Sequence, residues 1–300
     1  MMTLTTINTL RTKLEAARFA AAREGRSLKV ALVPTMGYLH EGHASLLRKA
    51  RAENDLVVLS IFVNPIQFGP GEDFERYPRN PEQDLALAEK EGVDLVFLPE
   101  VEEMYPAPTR TQIKVSGLTE LLCGASRPGH FDGVTTVVGK LLHIVGPDRA
   151  YFGQKDAQQV AVITQMVQDL NWNVEIVPCP IVREQDGLAL SSRNVYLSTE
   201  ERQAALVLSR NLLEVQAGSQ AEEVLTASTL REQLRKNISL EPLAVIDYVE
   251  VVSFPGLEPL GPEERVDDQG QDGDILVAVA VKFGSTRLID NVILTKKVNV

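Results

Sequence analysis

The sequence predicts an α/β protein: a Rossmann-like, doubly wound parallel sheet followed by a smaller C-terminal α+β domain. Three observations carry this. Short β-branched apolar runs alternate with helical patterns as far as Pro180, and the runs are continuously apolar, as in strands buried on both faces. Pro178 and Pro180 interrupt the alternation, and beyond them helices precede strands. At 300 residues the chain is long enough for two domains of roughly 150 residues each. The expected boundary divides it into 1–181 and 182–300.

The elements follow in order. Apolar residues at helical spacing (Leu10, Leu14, Ala17, Ala21) predict a helix over Ile7–Ala22 that Gly25 closes. Leu28–Val33 reads as a strand, Pro34-Thr35-Met36-Gly37 as a turn, and the stretch from Gly42 to Glu53 as a helix. The unit recurs: Leu56–Val63 is a strand, Pro81 opens a helix that Gly92 ends, and Val93–Leu98 is a further strand. Val134–Val145 and Asp156–Leu170 are expected helices, and Arg149–Phe152 and Val174–Val177 expected strands, with right-handed connections. In the C-terminal part, Ser198-Thr199-Glu200-Glu201 is a capping box opening a helix, and a second helix is expected from about Ala221 to Lys236. Strands are expected at Val245–Val252, Ile275–Lys282 and Arg287–Thr295, and a solvated loop at Glu263–Gly273.

Composition narrows the function. A hydrophobic fraction of 44% with 24% charged residues is that of a packed globular protein. The net charge of −11 disfavours nucleic acid and anionic membrane surfaces as partners, so any anionic substrate needs basic residues gathered locally. Cys123 and Cys179 offer neither a disulfide framework nor a thiolate zinc site. No apolar run reaches the roughly 20 residues of a membrane helix, and the N-terminal stretch does not read as a signal peptide. The expected location is the cytoplasm.

Chemistry is concentrated at the ends of expected strands. Pro34-Thr35-Met36-Gly37-Tyr38-Leu39-His40-Glu41-Gly42-His43 joins a strand to a helix, where ligands bind in open α/β sheets and helix amides favour phosphate. His40 and His43 add imidazole donors, although their spacing also suits a metal pair or two satisfied polar side chains. The segment is neither the His-Glu-x-x-His zinc signature nor a P-loop nor Gly-x-Gly-x-x-Gly. Phe152-Gly153-Gln154-Lys155-Asp156-Ala157-Gln158-Gln159 occupies the same kind of edge. There Lys155 supplies a point charge, Asp156 can accept from ribose or cap the helix, and Gln159 points one turn along. Leu190-Ser191-Ser192-Arg193-Asn194 offers two hydroxyls and a guanidinium for pyrophosphate, or forms an ordinary polar turn. Asn64-Pro65-Ile66-Gln67-Phe68 and Ser126-Arg127-Pro128-Gly129-His130-Phe131 read as loops that mix polar with apolar groups.

These motifs, in this order, resemble the family of bacterial pantothenate synthetases, the pantoate–β-alanine ligases of the nucleotidylyltransferase superfamily. The resemblance covers nearly all of the first 200 residues; the rest is less diagnostic. It implies that Pro34, Met36, Gly37, Tyr38, Leu39, His40, Glu41, Gly42 and His43 line an ATP site, with His40 as proton donor. Gly153, Lys155 and Asp156 match ribose and phosphate contacts, Val182 an adenine contact, and Ser191, Ser192 and Arg193 a triphosphate clamp, with Gln154 and Leu190 also in the ATP site. Gln67 and Gln159 match residues that hold pantoate, and Asn64 and Arg127 are expected substrate contacts. Of these, His40, His43, Lys155, Ser191, Ser192 and Arg193 are the expected catalytic set. Ile66, Gln154 and Leu190 depart from the family's usual Met, Glu and Met.

The resemblance implies a homodimer that condenses pantoate with β-alanine through pantoyl adenylate, releasing AMP and pyrophosphate. Mg²⁺ is expected to be bound mainly through the ATP phosphates, with no metal ligand assigned to the protein. Two rival readings use the same residues: a nucleotidylyltransferase that releases its nucleotidyl product, and a nucleotide-binding regulatory module without turnover.

Overall fold

The computed structural model describes residues 1–218, 226–266 and 273–295, and the chain divides into two units. The first comprises Met1–Ser116, Arg127–Gln154 and Val162–Pro180; the second comprises Gly117–Ser126, Lys155–Ala161 and Ile181–Val300. Two short segments that precede residue 181 thus group with the C-terminal part.

In the first unit, strands β1 (Met2–Leu4), β2 (Val30–Thr35), β3 (Leu56–Ile61), β4 (Leu95–Phe97), β5 (Arg149–Gly153) and β6 (Glu175–Cys179) form one parallel sheet in the order β1-β4-β3-β2-β5-β6. The helices along the chain are α1 (Ile7–Arg23), α2 (Glu41–Glu53), α3 (Pro81–Lys90), α4 (Val101–Met104), α5 (Leu122–Ser126), α6 (His130–Val145) and α7 (Ala157–Asp169). Burial on both faces explains the continuously apolar strands. Ala31, Val33, Val57, Leu59 and Val96 pack with Leu47 and Ala50 of α2, while the alternate residues Val30, Leu32 and Val58 are equally shut off from water. The chain progresses outward from β2 through β3 to β4 and then returns to β2's other side with β5. The topological switch point therefore lies between the carboxyl ends of β2 and β5, where Met36 and Gln154 begin their loops.

Three expectations need correction. Pro178 does not interrupt the last strand; it pairs with Phe152 inside β6, which tolerates a proline because it is an edge strand. Helix α6 starts at His130, so His130 and Phe131 belong to a helix and not to a loop, with Gly129 at φ 80° as the residue that turns the chain into it. The strand expected to reach Val63 ends at Ile61, and the following turn 65–67 is a 3₁₀ helix.

In the second unit, α8 (Thr199–Gly218) and α9 (Ala227–Ser239) pack on an antiparallel sheet of β7 (Ala244–Phe254), β8 (Asp274–Phe283) and β9 (Thr286–Leu294). The expected capping box is present: Ser198 Oγ accepts from Glu201 N at 3.2 Å while Ser198 N donates to Glu201 Oε2 at 2.9 Å. The two faces of β8 are both covered. Val277, Val279 and Val281 meet the α8 and α9 side, whereas Leu276 and Ala278 meet Leu122, Ala157 and Ala161. Of the helix expected from Ala221, positions 221–225 lie outside the described residues, as do 267–272 of the expected loop.

Candidate active site

Strand β2 delivers Pro34 and Thr35 to the switch point, and Thr35 Oγ1 donates to Ser60 O at 2.8 Å, tying the end of β2 to β3. The next residues turn through left-handed backbone, Gly37 at φ 83° and Tyr38 at φ 51°. Gly37 is required there twice over, since a Cβ would also lie 3.0 Å from both Asp84 Oδ2 and Ile61 Cγ2. Asp84, enclosed on α3, accepts from Tyr38 N at 2.9 Å and from Leu39 N at 2.6 Å. Loss of solvation raises its carboxyl above the ordinary range, against the opposing pull of these two N–H groups. Asp84 thus fixes the backbone immediately before His40. Sequence reasoning missed it, because the contact spans 45 residues.

His40 and His43 are brought together at the start of α2, ring centroids 4.1 Å apart and planes inclined by 40°. His40 Nδ1 accepts from Gly42 N at 3.1 Å, and His43 Nδ1 accepts from His40 N at 3.2 Å. The pair is a capping box built from imidazoles in place of Ser and Glu. Because each Nδ1 accepts, the neutral rings carry their proton on Nε2, so the rings are donors at the end away from the helix. The amides of His40 and Gly42 are engaged by these rings. The imidazole Nε2 groups instead extend the donor end of the helix outward.

Asn64 and Gln67 sit beyond the carboxyl end of β3, both buried. Asn64 Nδ2 donates to Gln67 Oε1 at 3.0 Å and to Gly133 O at 3.1 Å, and its Oδ1 accepts from Tyr105 Oη at 2.7 Å. Gln67 Nε2 donates to Met36 Sδ at 3.3 Å, a weak acceptor that a substrate oxygen would outcompete. Met36 lies 31 residues from Gln67 in the sequence, and the structure joins it with Asn64 and Gln67 in one network. Burial holds the Tyr105 phenol well above its usual range, so it serves as a neutral donor. Gly133 of α6 makes the close approach possible, since a Cβ there would fall 2.5 Å from Ile66 O and 2.6 Å from Gln67 Cα.

Arg127 stands at the rim of this network. Its Nε and Nη2 donate to Glu72 Oε1 and Oε2, both at 2.6 Å, and Nη1 lies 3.0 Å from His130 Nε2. His130 Nδ1 lies 2.8 Å from Gln67 O. Burial would raise the Glu72 carboxyl, but the hydrogen bonds and charge of Arg127, with smaller help from Gly69 N–H and His130, bring it below the ordinary range.

Gly153 and Gln154 end the first unit's middle segment, and space beside Gly153 is open to a Cβ. The other expected residues belong to the second unit. Lys155 O accepts from Asn291 Nδ2 at 2.9 Å, which ties the start of α7 to β9, while Asp156 is exposed in the turn before α7. Gln159 is half-buried on α7; its neighbour Gln158 is instead structural, bonded to Cys123 N, Leu118 O and Leu121 O at 2.9, 2.9 and 2.7 Å. Val182 and Leu190 are joined by Leu190 N to Val182 O at 3.0 Å, across a hairpin whose turn uses Gly187 at φ 97°. Arg183 clamps the same hairpin to Asp290 through a bidentate pair at 2.6 and 2.9 Å. Ser191 Oγ then accepts from Arg193 N at 3.2 Å, opening a 3₁₀ turn over Ser192–Tyr196, and Asn194 Nδ2 donates to Glu184 Oε1 and Ala189 O, each at 3.1 Å. Among the described residues, no group of three His, Cys, Asp or Glu side chains could hold a metal ion, and no helix is long and apolar enough to cross a membrane.

The family model described as pantoate-beta-alanine ligase matches residues 2–293. A pantothenate synthetase of Acetivibrio thermocellus is 61% identical over 270 residues, 88% of this chain and 91% of the relative, and one of Geobacillus thermodenitrificans is 56% identical over 91% and 90%. The crystal structure of pantothenate synthetase from Thermus thermophilus is similar with a TM-score of 0.85 at 47% identity, covering 97% of this chain and 99% of that one. A pantoate-beta-alanine ligase from Francisella tularensis, solved in complex with beta-gamma ATP and beta-alanine, has a TM-score of 0.74 at 34% identity, with 97% of each chain covered.

Proposed function

Because the chain belongs to the pantoate–β-alanine ligase family and is an enzyme that joins pantoate to β-alanine at the expense of ATP, we propose that it works through pantoyl adenylate, with the residues named above in specific roles. The single observation that carries this reading is the pair of imidazoles capping α2 at the switch point, held as Nε2 donors.

In the first half-reaction the pantoate carboxylate attacks the α-phosphorus in line and pyrophosphate leaves, with no protein nucleophile. The chain's work is to position the reactants and to meet negative charge as it grows on phosphoryl oxygens. His40 and His43 donate hydrogen bonds from Nε2 to phosphoryl oxygens, with His40, the expected proton donor, meeting the charge that grows on the departing pyrophosphate. Pro34, Met36, Gly37, Tyr38, Leu39, Glu41 and Gly42 shape the nucleotide side of the loop, and Gly153 and Gln154 approach the ribose. In the second unit Lys155, Ser191, Ser192 and Arg193 hold the triphosphate with Leu190 opening their loop, Asp156 the ribose, and Val182 the base. Gln67 and Gln159 hold pantoate through neutral amides, with Asn64 orienting Gln67. Mg²⁺ supplies charge neutralisation on the phosphates and is carried in mainly by ATP itself. In the second half-reaction the neutral amine of β-alanine attacks the acyl carbonyl and AMP leaves. The domains of this reading are 1–181, binding nucleotide and pantoate, and 182–300, acting as a lid. The homodimer and the cytoplasmic location rest on the family resemblance and on the sequence composition; sedimentation of the purified protein and fractionation of cells test them.

The decisive experiment is exchange of labelled pyrophosphate into ATP with pantoate present and β-alanine omitted. Exchange is expected, because the adenylate forms before the amine arrives. Exchange that requires β-alanine would rule out the two-step course.

A further inference from the structure

Glu72 and Arg127 form a planar, bidentate pair of the kind a guanidinium makes with any carboxylate, both contacts at 2.6 Å. The two partners are not held alike. Arg127 has a second anchor: Nη1 meets His130 Nε2 at 3.0 Å, and His130 Nδ1 meets Gln67 O at 2.8 Å. With Nδ1–H donating to that carbonyl, Nε2 is the acceptor for Arg127, so a chain of two hydrogen bonds ties the guanidinium to the backbone of the Gln67 turn. Besides Arg127, Glu72 is held by local contacts to Gly69: Gly69 N donates to Glu72 Oε2 at 3.1 Å and Glu72 N donates to Gly69 O at 3.1 Å. Glu72 is carried on a turn containing Gly69 and Gly71, the latter at φ 81°. The His130 contact on Nη1 does not involve Glu72, so it would still hold the guanidinium, with Nε and Nη2 facing outward, once the carboxylate had moved away.

β-Alanine must present a neutral amine to the acyl carbonyl while its carboxylate, still charged, is held elsewhere. The Arg127 fork is built for such a carboxylate, and through His130 it is tied to Gln67, the residue read above as holding pantoate. We propose that the fork of Arg127 is the subsite for the carboxylate of the amino-acid substrate, and that Glu72 occupies it in the ligand-free chain as an internal competitor that the substrate displaces. The exchange conserves charge: one carboxylate replaces another on the same guanidinium, so no ion is left buried and unpaired. The assignment rests on the reading of Arg127 as a substrate contact made above.

The test uses the full-length enzyme and two variants, Glu72→Gln and Arg127→Gln, with circular dichroism as a check on folding. Glu72→Gln is expected to lower the KM for β-alanine by about threefold or more, because a larger fraction of the protein then has its fork open. Its kcat and its pantoate-dependent pyrophosphate exchange, which need no β-alanine, are expected to stay within about twofold of wild type. Arg127→Gln is expected to raise the KM for β-alanine by about thirtyfold or more, and to erase the preference for β-alanine over its amide, 3-aminopropanamide. An unchanged or raised KM in Glu72→Gln would overturn the competitor role. A preserved preference for the carboxylate in Arg127→Gln would overturn the subsite. Absence of exchange in the wild-type protein would strike the adenylate reading alone, since the β-alanine KM values are read from overall turnover.

Discussion

Asp84 shows how one residue sets the geometry of a site it does not enter. Its two oxygens take the amides of Tyr38 and Leu39, so the backbone entering His40 is fixed from outside the motif. Asparagine at this position keeps the shape but turns one acceptor into a donor facing an N–H group, a loss of roughly 1 to 3 kcal/mol. Asp84→Asn should therefore slow adenylate formation by about tenfold or more while leaving the fold intact. Stability should separate the two proteins with a definite sign. Because burial raises this carboxyl in the folded state, its contribution is fully present below the unfolded value near 3.9 and fades as pH rises through the folded one. Denaturant melts over about pH 4 to 7 should thus show wild type gaining on Asp84→Asn as the solution is acidified, and a gap that narrows on acidification would count against this account. At this scale the sequence is half legible. His40, His43, Met36 and Gln67 carry functional groups in a recognisable order, whereas Asp84 and Glu72 act through partners 45 and 55 residues away, and nothing local marks them.

At the scale of elements, the alternation of strands and helices is readable because the parallel strands are buried on both faces. Three-residue β1 is not, since two of its residues are exposed and it has no period to show. The apolar pattern puts the start of this helix at Val134, whereas α6 begins at His130 and Gly133 is a helical residue suited to close contact. Its missing side chain lets α6 lie against the backbone of Ile66 and Gln67, with 2.5 Å available where a Cβ would go. Backbone cannot swing aside as a long side chain can, so Gly133→Ala must push the 65–67 turn away from α6. The expected cost is about 1 to 3 kcal/mol of stability, with a raised KM for pantoate in the exchange reaction because Gln67 moves with its turn. A variant with a normal melting curve and normal pantoate dependence would show that the turn can relax freely.

For the whole molecule, a linear boundary near residue 181 hides the grouping of Gly117–Ser126 and Lys155–Ala161 with the C-terminal part. A compact unit is defined by contacts, and the cover of β8 by Leu122, Ala157 and Ala161 recruits these segments from upstream in the chain. The 182–194 hairpin in that unit is already braced by Arg183–Asp290 and by Asn194, so binding of triphosphate should add order to a formed structure. Addition of Mg²⁺ and a non-hydrolysable ATP analogue should slow hydrogen exchange over residues 186–196, and Arg193→Lys should lower the adenylation rate while sparing pantoate binding, because a point charge does not reproduce a planar fork. Exchange rates that ignore the nucleotide, together with wild-type kinetics for Arg193→Lys, would leave the segment an ordinary polar turn.

The sheet of the first unit ends at β1 on one side and β6 on the other. An open margin of a sheet is a standing invitation to strands from other molecules, and a long, regular one would let chains stack edge to edge. Here one margin is three residues long, and the other carries Pro178, which has no N–H to offer an incoming strand. The proline that reads in the sequence as the end of a strand is better understood as the reason the sheet stops recruiting: six strands form, and a seventh finds an incomplete template.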